Sequence, residues 1–248
     1  MTEDAIIVGA SGALGFEITR RLVARGLRVI AVGRNAGSLD ELVAKVPGVA
    51  PCVADIASDD AIAVVAAAIK NPVRILVHAP GVPVAGGVLT APTAALAEAV
   101  NIKVGGFLRI IRAADPHLVK SSRLVAIGGH YGTEPTAYAA APGVANAALA
   151  NLIRQLSWAY GPRGVTAHLV APGPADTERM RNVAVARAAQ SGSTVEAMLE
   201  ELRMDSAIRA FTTPEQVAWA VALLADPEAD ALAGSALMLD SGRRRGLP

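Results

Sequence analysis

Cysteine, lysine, tyrosine and net charge are all scarce in this chain. Its 248 residues include one cysteine, Cys52, four lysines and three tyrosines; aromatic side chains make up 3% of it. One cysteine excludes an intramolecular disulfide framework and a cysteine-based zinc cluster, and suits a reducing compartment. No bound metal is expected. The 23 basic and 22 acidic side chains leave a formal charge of +1. With so few aromatics, the chain lacks the basic footprint and stacking platforms that nucleic-acid binding uses. It also lacks an unbroken apolar run of membrane length. The stretch Ile75–Ala97 carries no Asp, Glu, Lys or Arg but is interrupted by Pro80, Pro83 and Pro92 and by Gly81, Gly86 and Gly87. The acidic start Met1-Thr2-Glu3-Asp4 does not read as a secretory leader, so a soluble cytoplasmic protein is expected.

What is present is a rhythm. Short β-branched runs at Ala5–Val8, Arg28–Val32, Ala50–Val53, Arg74–His78, Arg123–Ile127, Val165–Val170 and Ala236–Leu239 are almost continuously apolar, as in parallel strands covered on both faces. Between them lie alanine- and leucine-rich helical stretches near Ala13–Arg25, Ser38–Val46, Asp59–Lys70, Thr93–Ala114, Pro142–Tyr160 and Pro214–Ala225. The alternation predicts an α/β fold: one Rossmann-type, doubly wound parallel sheet with helices on both faces, spanning 1–248 as a single domain. Residues 176–209 break the rhythm with charged helical sequence, where such folds place a substrate lid.

The first strand runs into Gly9-Ala10-Ser11-Gly12-Ala13-Leu14-Gly15 and then directly into a helix. Gly9 permits a tight turn, Gly12 close approach of a pyrophosphate to backbone, and Gly15 close packing of helix on strand. The helix N-terminus then offers its N–H groups to the anion. The second strand ends in Gly33-Arg34-Asn35. An NAD site usually carries a carboxylate there for the ribose 2′-OH. Arg34 instead offers a guanidinium to a 2′-phosphate, a charge-assisted contact of about 1.5–3 kcal/mol, so NADP(H) is the expected cofactor. Asp55, closing the third strand, suits either the adenine edge or a strand-end turn.

These pieces together resemble the short-chain dehydrogenase/reductase family over nearly the whole chain. The resemblance takes in the glycine turn, Gly33-Arg34-Asn35, Asp55-Ile56, Val100-Asn101-Ile102-Lys103, Arg163-Gly164-Val165, Pro172-Gly173 with Thr177, Thr213-Pro214-Glu215, and Gly234 with Asp240-Ser241-Gly242. It implies a cofactor site drawing on Gly9, Ser11, Gly12, Leu14, Gly15, Arg34, Asn35, Asp55, Ile56, Ala79, Gly81, Pro172, Gly173 and Thr177. Two departures stand out. Ala13 replaces the middle glycine of the commoner turn, and His78-Ala79-Pro80-Gly81 replaces an Asn-Ala-Gly type turn.

Members of this family typically reduce a carbonyl with serine, tyrosine and lysine, assisted by asparagine. Hydride addition leaves an alkoxide that an acid must protonate near neutral pH. Asn101 matches the asparagine position, with an ordinary mid-helix polar residue as the alternative. The serine position falls on Gly129. Counting back from Pro172-Gly173 puts the tyrosine position on Pro142 and the lysine position on Asn146, and counting forward from Gly129 reaches the same residues. Tyr138, in the loop before the Pro142 helix, and His130, beside Tyr131 after the fifth strand, are the candidate substitute acids; the alternatives are loop packing for Tyr138 and a solvated or hydrogen-bonded loop residue for His130. Lys45 and Lys70 sit on peripheral helices and Lys120 at the wrong end of the sheet. Lys103 lies on a different side of its helix from Asn101. No lysine is therefore expected to activate a phenol.

The expected function is an NADP(H)-dependent oxidoreductase of a small carbonyl or alcohol with a non-standard proton donor. A non-redox lyase, isomerase or cyclase on the same scaffold, or an inactive nucleotide-binding sensor or partner subunit, would fit the altered site too. Arg179, Arg181 and Arg187 in the lid suit either an acidic substrate or a solvated helix face. The alanine-rich helix with Asn146 and Asn151 suggests a homodimer or homotetramer.

Overall fold

A computed structural model describes residues 2–246; residues 1, 247 and 248 of the expected domain lie outside the described residues. Seven strands form one sheet: β1 (Asp4–Val8), β2 (Arg28–Gly33), β3 (Val49–Val53), β4 (Val73–His78), β5 (Leu118–Ile127), β6 (Thr166–Pro172) and β7 (Ala236–Leu239). Every neighbouring pair is parallel, in the order β3-β2-β1-β4-β5-β6-β7. The doubly wound sheet expected from the alternation is thus observed. Its order reverses between β1 and β4, the switch point where such sheets open a crevice beyond their carboxyl ends.

Alternate residues along each strand serve opposite faces. Ile6, Val8, Ile30, Leu76 and Leu124 pack under α3 (Asp60–Ala68), α5 (Gly106–Ala114) and α6 (Ala140–Tyr160). Ala5, Ile7, Ala31, Val77 and Val125 pack under α1 (Ala13–Ala24), α2 (Ala36–Lys45) and α9 (Pro214–Leu224). This two-sided burial is why the strands read as unbroken apolar runs. The interruption at 176–209 contains α7 (Glu178–Ser191) and α8 (Val195–Met204). Among the described residues no helix is long and apolar enough to cross a membrane.

One expected element is different. The helix predicted over Thr93–Ala114 is α4 (Thr93–Val100), then a π-helical turn at Asn101–Gly105, then α5. The Gly106 N–H reaches back to the Asn101 carbonyl. The wider turn has room because Gly105 and Gly106 carry no side chains: a Cβ on Gly106 would stand 2.9 Å from Ile56 Cδ1. π-turns of this type are frequent at functional sites.

Candidate active site

A cavity of about 500 Å³ opens at the carboxyl ends of β1, β4, β5 and β6. Its wall includes the glycine turn, the Ala79–Val82 segment after β4, Gly128–Tyr131 after β5, and Pro172–Ala175 after β6. Tyr138, Pro142, Asn146 and Lys103 complete one side, and Thr177, Glu178, Arg179, Met180 and Val183 with Leu202 of α8 cover another.

At the turn, Gly9 has φ +77°, and a Cβ there would stand 2.8 Å from the Ala79 carbonyl oxygen. A Cβ on Gly15 would overlap the Gly9 carbonyl oxygen and stand 2.8 Å from Ala10 Cα, so backbone closes that space. Gly12 differs: only the Gly9 oxygen, at 3.4 Å, lies near its missing Cβ, and its open side faces the cavity. Gly12 also caps α1 without a side-chain hydrogen bond, and no acidic residue occupies the first turn. The helix start is left free to receive an anion.

The structure separates the sequence-predicted cofactor residues into two groups. Gly9, Gly12, Leu14, Gly15, Ala79, Gly81, Pro172, Gly173 and Thr177 line the cavity. Ser11, Arg34, Asn35, Asp55 and Ile56 do not. Arg34 and Ser11 are exposed. Asn35 Oδ1 accepts from the Ser38 N–H at 2.9 Å, capping α2. Asp55 Oδ1 accepts from the Ala57 N–H at 3.1 Å, the strand-end turn foreseen as one of its two roles. Ile56 is buried in the core. Thr177 also caps α7.

Gly129, Pro142 and Asn146 meet in the same wall although they come from β5 and α6. Pro142 occupies the first turn of α6, as its missing N–H favours. A Cβ on Gly129 would stand 2.9 Å from Asn146 Nδ2, so the Asn146 amide fills the space over that glycine. Asn146 is buried, and its Oδ1 has no hydrogen-bond partner.

On the π-turn, Asn101 and Lys103 have different surroundings. Asn101 does not line the cavity. Its Nδ2 donates to the Ala57 carbonyl at 3.2 Å and its Oδ1 accepts from Arg109 at 2.9 Å, turning the side chain toward the loop after β3. The two residues do face different ways, but it is Lys103 that faces inward. Lys103 is 5% exposed and donates from Nζ to the Ile127 carbonyl at 2.8 Å, at the end of β5. Burial pushes its ammonium down to about 7, with the Arg179 guanidinium adding to the shift. Arg179 of α7 itself donates to the Val82 carbonyl. Lys103, set aside in the sequence as an activator of a phenol, thus lines the cavity with its hydrogen bond made to backbone. The overlooked signal was spacing: Lys103 shares a helical face with Phe107, Ile110, Ile111 and Ala114, all buried.

His130 and Tyr138 also stand in the wall. His130 is buried, its ring 3.9 Å from that of Tyr131, and its Nε2 has no partner. Burial lowers it to about 4, helped by Arg243 and opposed by a hydrogen bond to the Pro172 carbonyl, so it is neutral at ordinary pH. The Tyr138 hydroxyl bonds to that of Tyr131, and the Arg187 guanidinium lies 5.3 Å from the Tyr138 ring centre. Burial raises the Tyr138 phenol above its usual value, against the pull of Arg187 and Arg243. Of the α7 arginines, Arg179 is bound into the wall, Arg187 lies over Tyr138, and Arg181 is exposed.

Comparison with known proteins shows the family and the fold. A family model described as enoyl-(acyl carrier protein) reductase matches residues 9–244. An oxidoreductase of the short-chain dehydrogenase/reductase family from Burkholderia thailandensis is 26% identical, with a TM-score of 0.83 over 99% of this chain and 94% of that one. The chain belongs to the short-chain dehydrogenase/reductase family. A curated relative in that family, the short-chain reductase protein NovJ of Streptomyces niveus, is 28% identical over 96% of this chain and 93% of its own length. A short-chain oxidoreductase from Pseudomonas aeruginosa PAO1, solved with NADPH and described as having an atypical catalytic center, shares the fold. Its TM-score is 0.86 at 21% identity, over 99% of this chain and 98% of that one.

Proposed function

We propose that the chain is a cytoplasmic, NADP(H)-dependent oxidoreductase acting on a small carbonyl or alcohol, and that it lacks the family's usual serine–tyrosine–lysine set. The observation carrying this reading is the single cavity that runs from an uncapped glycine turn to Gly129, Pro142 and Asn146. The turn fits a dinucleotide: the surface at Gly12 is open and the α1 N-terminus has no side-chain acceptor. Gly9, Gly12 and Leu14 would hold the diphosphate, Gly173 and Thr177 the nicotinamide half, and exposed Arg34 the 2′-phosphate. The NADPH in the Pseudomonas aeruginosa neighbour is in keeping with that choice. When bound, the reduced cofactor supplies a hydride to a carbonyl carbon.

The chain's own residues bind and enclose the substrate. Tyr138 presents a protonated phenol, neutral His130 an unpartnered ring nitrogen, and Met180, Val183 and Leu202 an apolar cover that excludes water. Residues 176–209 act as the lid. The chain assembles as a homodimer or homotetramer through the outer face of α6, where Val144 and Trp158 are exposed; light scattering of the eluted protein checks this.

Calorimetric titration at low salt is expected to show NADPH bound about tenfold or more tighter than NADH, the size of one charge-assisted contact. Loss of nicotinamide absorbance should follow when a panel of small ketones, β-keto esters and aldehydes is added. Equal affinity for the two cofactors defeats the NADP(H) assignment. Tight NADPH binding without turnover of any carbonyl or alcohol defeats the oxidoreductase.

A further inference from the structure

We propose that Lys103 is the proton donor of this cavity, a lysine on the π-turn before α5 doing the work of the absent tyrosine. The inference rests on the reductase reading and names its acid. The position is built, not incidental. Lys103 is buried at the floor of the cavity, its Nζ held by the Ile127 carbonyl at 2.8 Å, with no carboxylate paired to it among the described residues. One hydrogen bond uses one of three ammonium protons, leaving donors for a ligand. An unpaired cation in such a place is costly unless something else requires it. The same wall holds Asn146, whose amide fills the space over Gly129 and cannot supply an ammonium.

The step balances as follows. The carbonyl carbon accepts the hydride, and the C=O π pair moves onto oxygen. That oxygen takes a proton from Nζ as one N–H bond breaks, leaving a neutral amine still bonded to Ile127. The amine recovers its proton from water at the cavity mouth. Oxidation of an alcohol runs the same step backwards, with the neutral amine as base.

The groups facing Lys103 leave the neutral pH window to it. His78 of β4, at about 3, and His130, at about 4, are uncharged there. Tyr138 is protonated. Arg179 stays cationic and lowers the Lys103 ammonium; Glu178 also lines the cavity. Burial brings that ammonium to about 7, the range in which one group can both hold and give up a proton.

Two measurements on the intact protein test the proposal. Competitive labelling with acetic anhydride between pH 5 and 10, read by peptide mass spectrometry, is expected to give Lys103 a midpoint near 7, far below the ordinary lysine value of 10.5. In turnover with NADPH and the carbonyl panel, K103M should lose roughly 100-fold in kcat, the usual scale for a general acid. Its NADPH Kd should stay within about threefold of wild type and its melting temperature should not fall, because Met removes a buried charge. K103R keeps a cation and should lose the fall of kcat above pH 7. A K103M enzyme within threefold of wild-type kcat, or a Lys103 midpoint at the ordinary lysine value, overturns the proposal. So does loss of activity accompanied by an equal loss of NADPH affinity, which makes Lys103 a cofactor ligand. If wild type binds NADPH but turns over nothing, the reductase reading fails and the proton-donor role falls with it.

Discussion

The two halves of the sheet treat their ligand-facing positions differently. At β1, backbone defines the site: Gly9 is pressed against the Ala79 carbonyl and Gly15 against Gly9 itself, so the turn has one arrangement. At β5 and α6, side chains define it: the Asn146 amide fills the space over Gly129, and Lys103 reaches across from another helix to Ile127. Backbone geometry tolerates almost no substitution, whereas a side-chain wall can be rebuilt by exchanging residues that fill the same space. On the proposed reading, that difference explains how a chain can keep a family's glycine turn while Gly129, Pro142 and Asn146 form the wall at β5 and α6.

The largest way to separate the halves is acid. Three of the four histidines, His78, His130 and His168, are buried on the β4–β6 side, and burial lowers them to about 3, 4 and 4 from 6.5. Below pH 6.5 the unfolded chain takes up protons the folded chain refuses until its own lower values are reached. The histidines' contribution is therefore complete above 6.5 and is lost as pH falls through 4, at about 1.4 kcal/mol per histidine per pH unit, or roughly 4 kcal/mol for the three. On the β1 side, burial of Asp4 tends to raise its carboxyl, but hydrogen bonds from Asn71, Lys70 and Arg28 outweigh this and hold it below 3.8. Its stabilisation is lost only under more acid conditions. Hydrogen exchange at pH 5 should show protection falling first in β4, β5 and β6. Uniform loss across the sheet breaks the comparison.

Next in size is Gly15→Ala. The added Cβ meets backbone that cannot rotate away, so a cost of about 3 kcal/mol is expected. That corresponds to a melting temperature lower by roughly 6–12 °C, with NADPH binding lost. Thermal unfolding with and without NADPH checks both effects.

How much of this was legible in the sequence follows the same division. The strands were readable because both faces are covered, so Ile6 and Ile7 are both apolar whichever side they serve. The glycine turn was readable because only glycine fits where backbone touches backbone. Lys103 was missed because spacing from Asn101 fixes their relative directions but not which of them faces the sheet. The resemblance matches Asn101 to the family's asparagine and gives no direction for either side chain. The stripe Lys103, Phe107, Ile110, Ile111 and Ala114 carried the right answer. A π-turn leaves no hydrophobic periodicity of its own, so the break at Asn101–Gly105 could not be read from spacing. Cofactor residues at the ends of β2 and β3 were legible as types, yet Asn35 and Asp55 spend their side-chain oxygens on local turns.

Arg34 gives a smaller effect that sharpens the contrast. It is exposed and outside the cavity wall, so Arg34→Ala should leave stability within about 0.5 kcal/mol. NADPH affinity should fall about 10- to 150-fold, the loss of one charge-assisted contact, and NADH affinity should be unchanged. Paired calorimetric titrations decide this; a parallel loss for both cofactors would mean that Arg34 contacts their shared part.

The smallest expected effect is Gly129→Ser. Gly129 has φ 174°, extended backbone that any residue adopts, so the substitution brings no conformational strain. The new Cβ stands 2.9 Å from Asn146 Nδ2, the end of a side chain whose Oδ1 has no partner to lose by rotating. The serine hydroxyl can then donate to that Oδ1, offsetting the crowding. A change within about 1 kcal/mol follows, or no more than roughly 4 °C in melting temperature. Gly15→Ala adds a methyl carbon at a glycine of the same cavity and is expected to cost several times more. Both variants should be melted side by side in one buffer. If Gly129→Ser costs as much as Gly15→Ala, the β5 wall is as rigid as the β1 turn, and the ease of rebuilding it is not what allowed Gly129 and Asn146 to stand where they do.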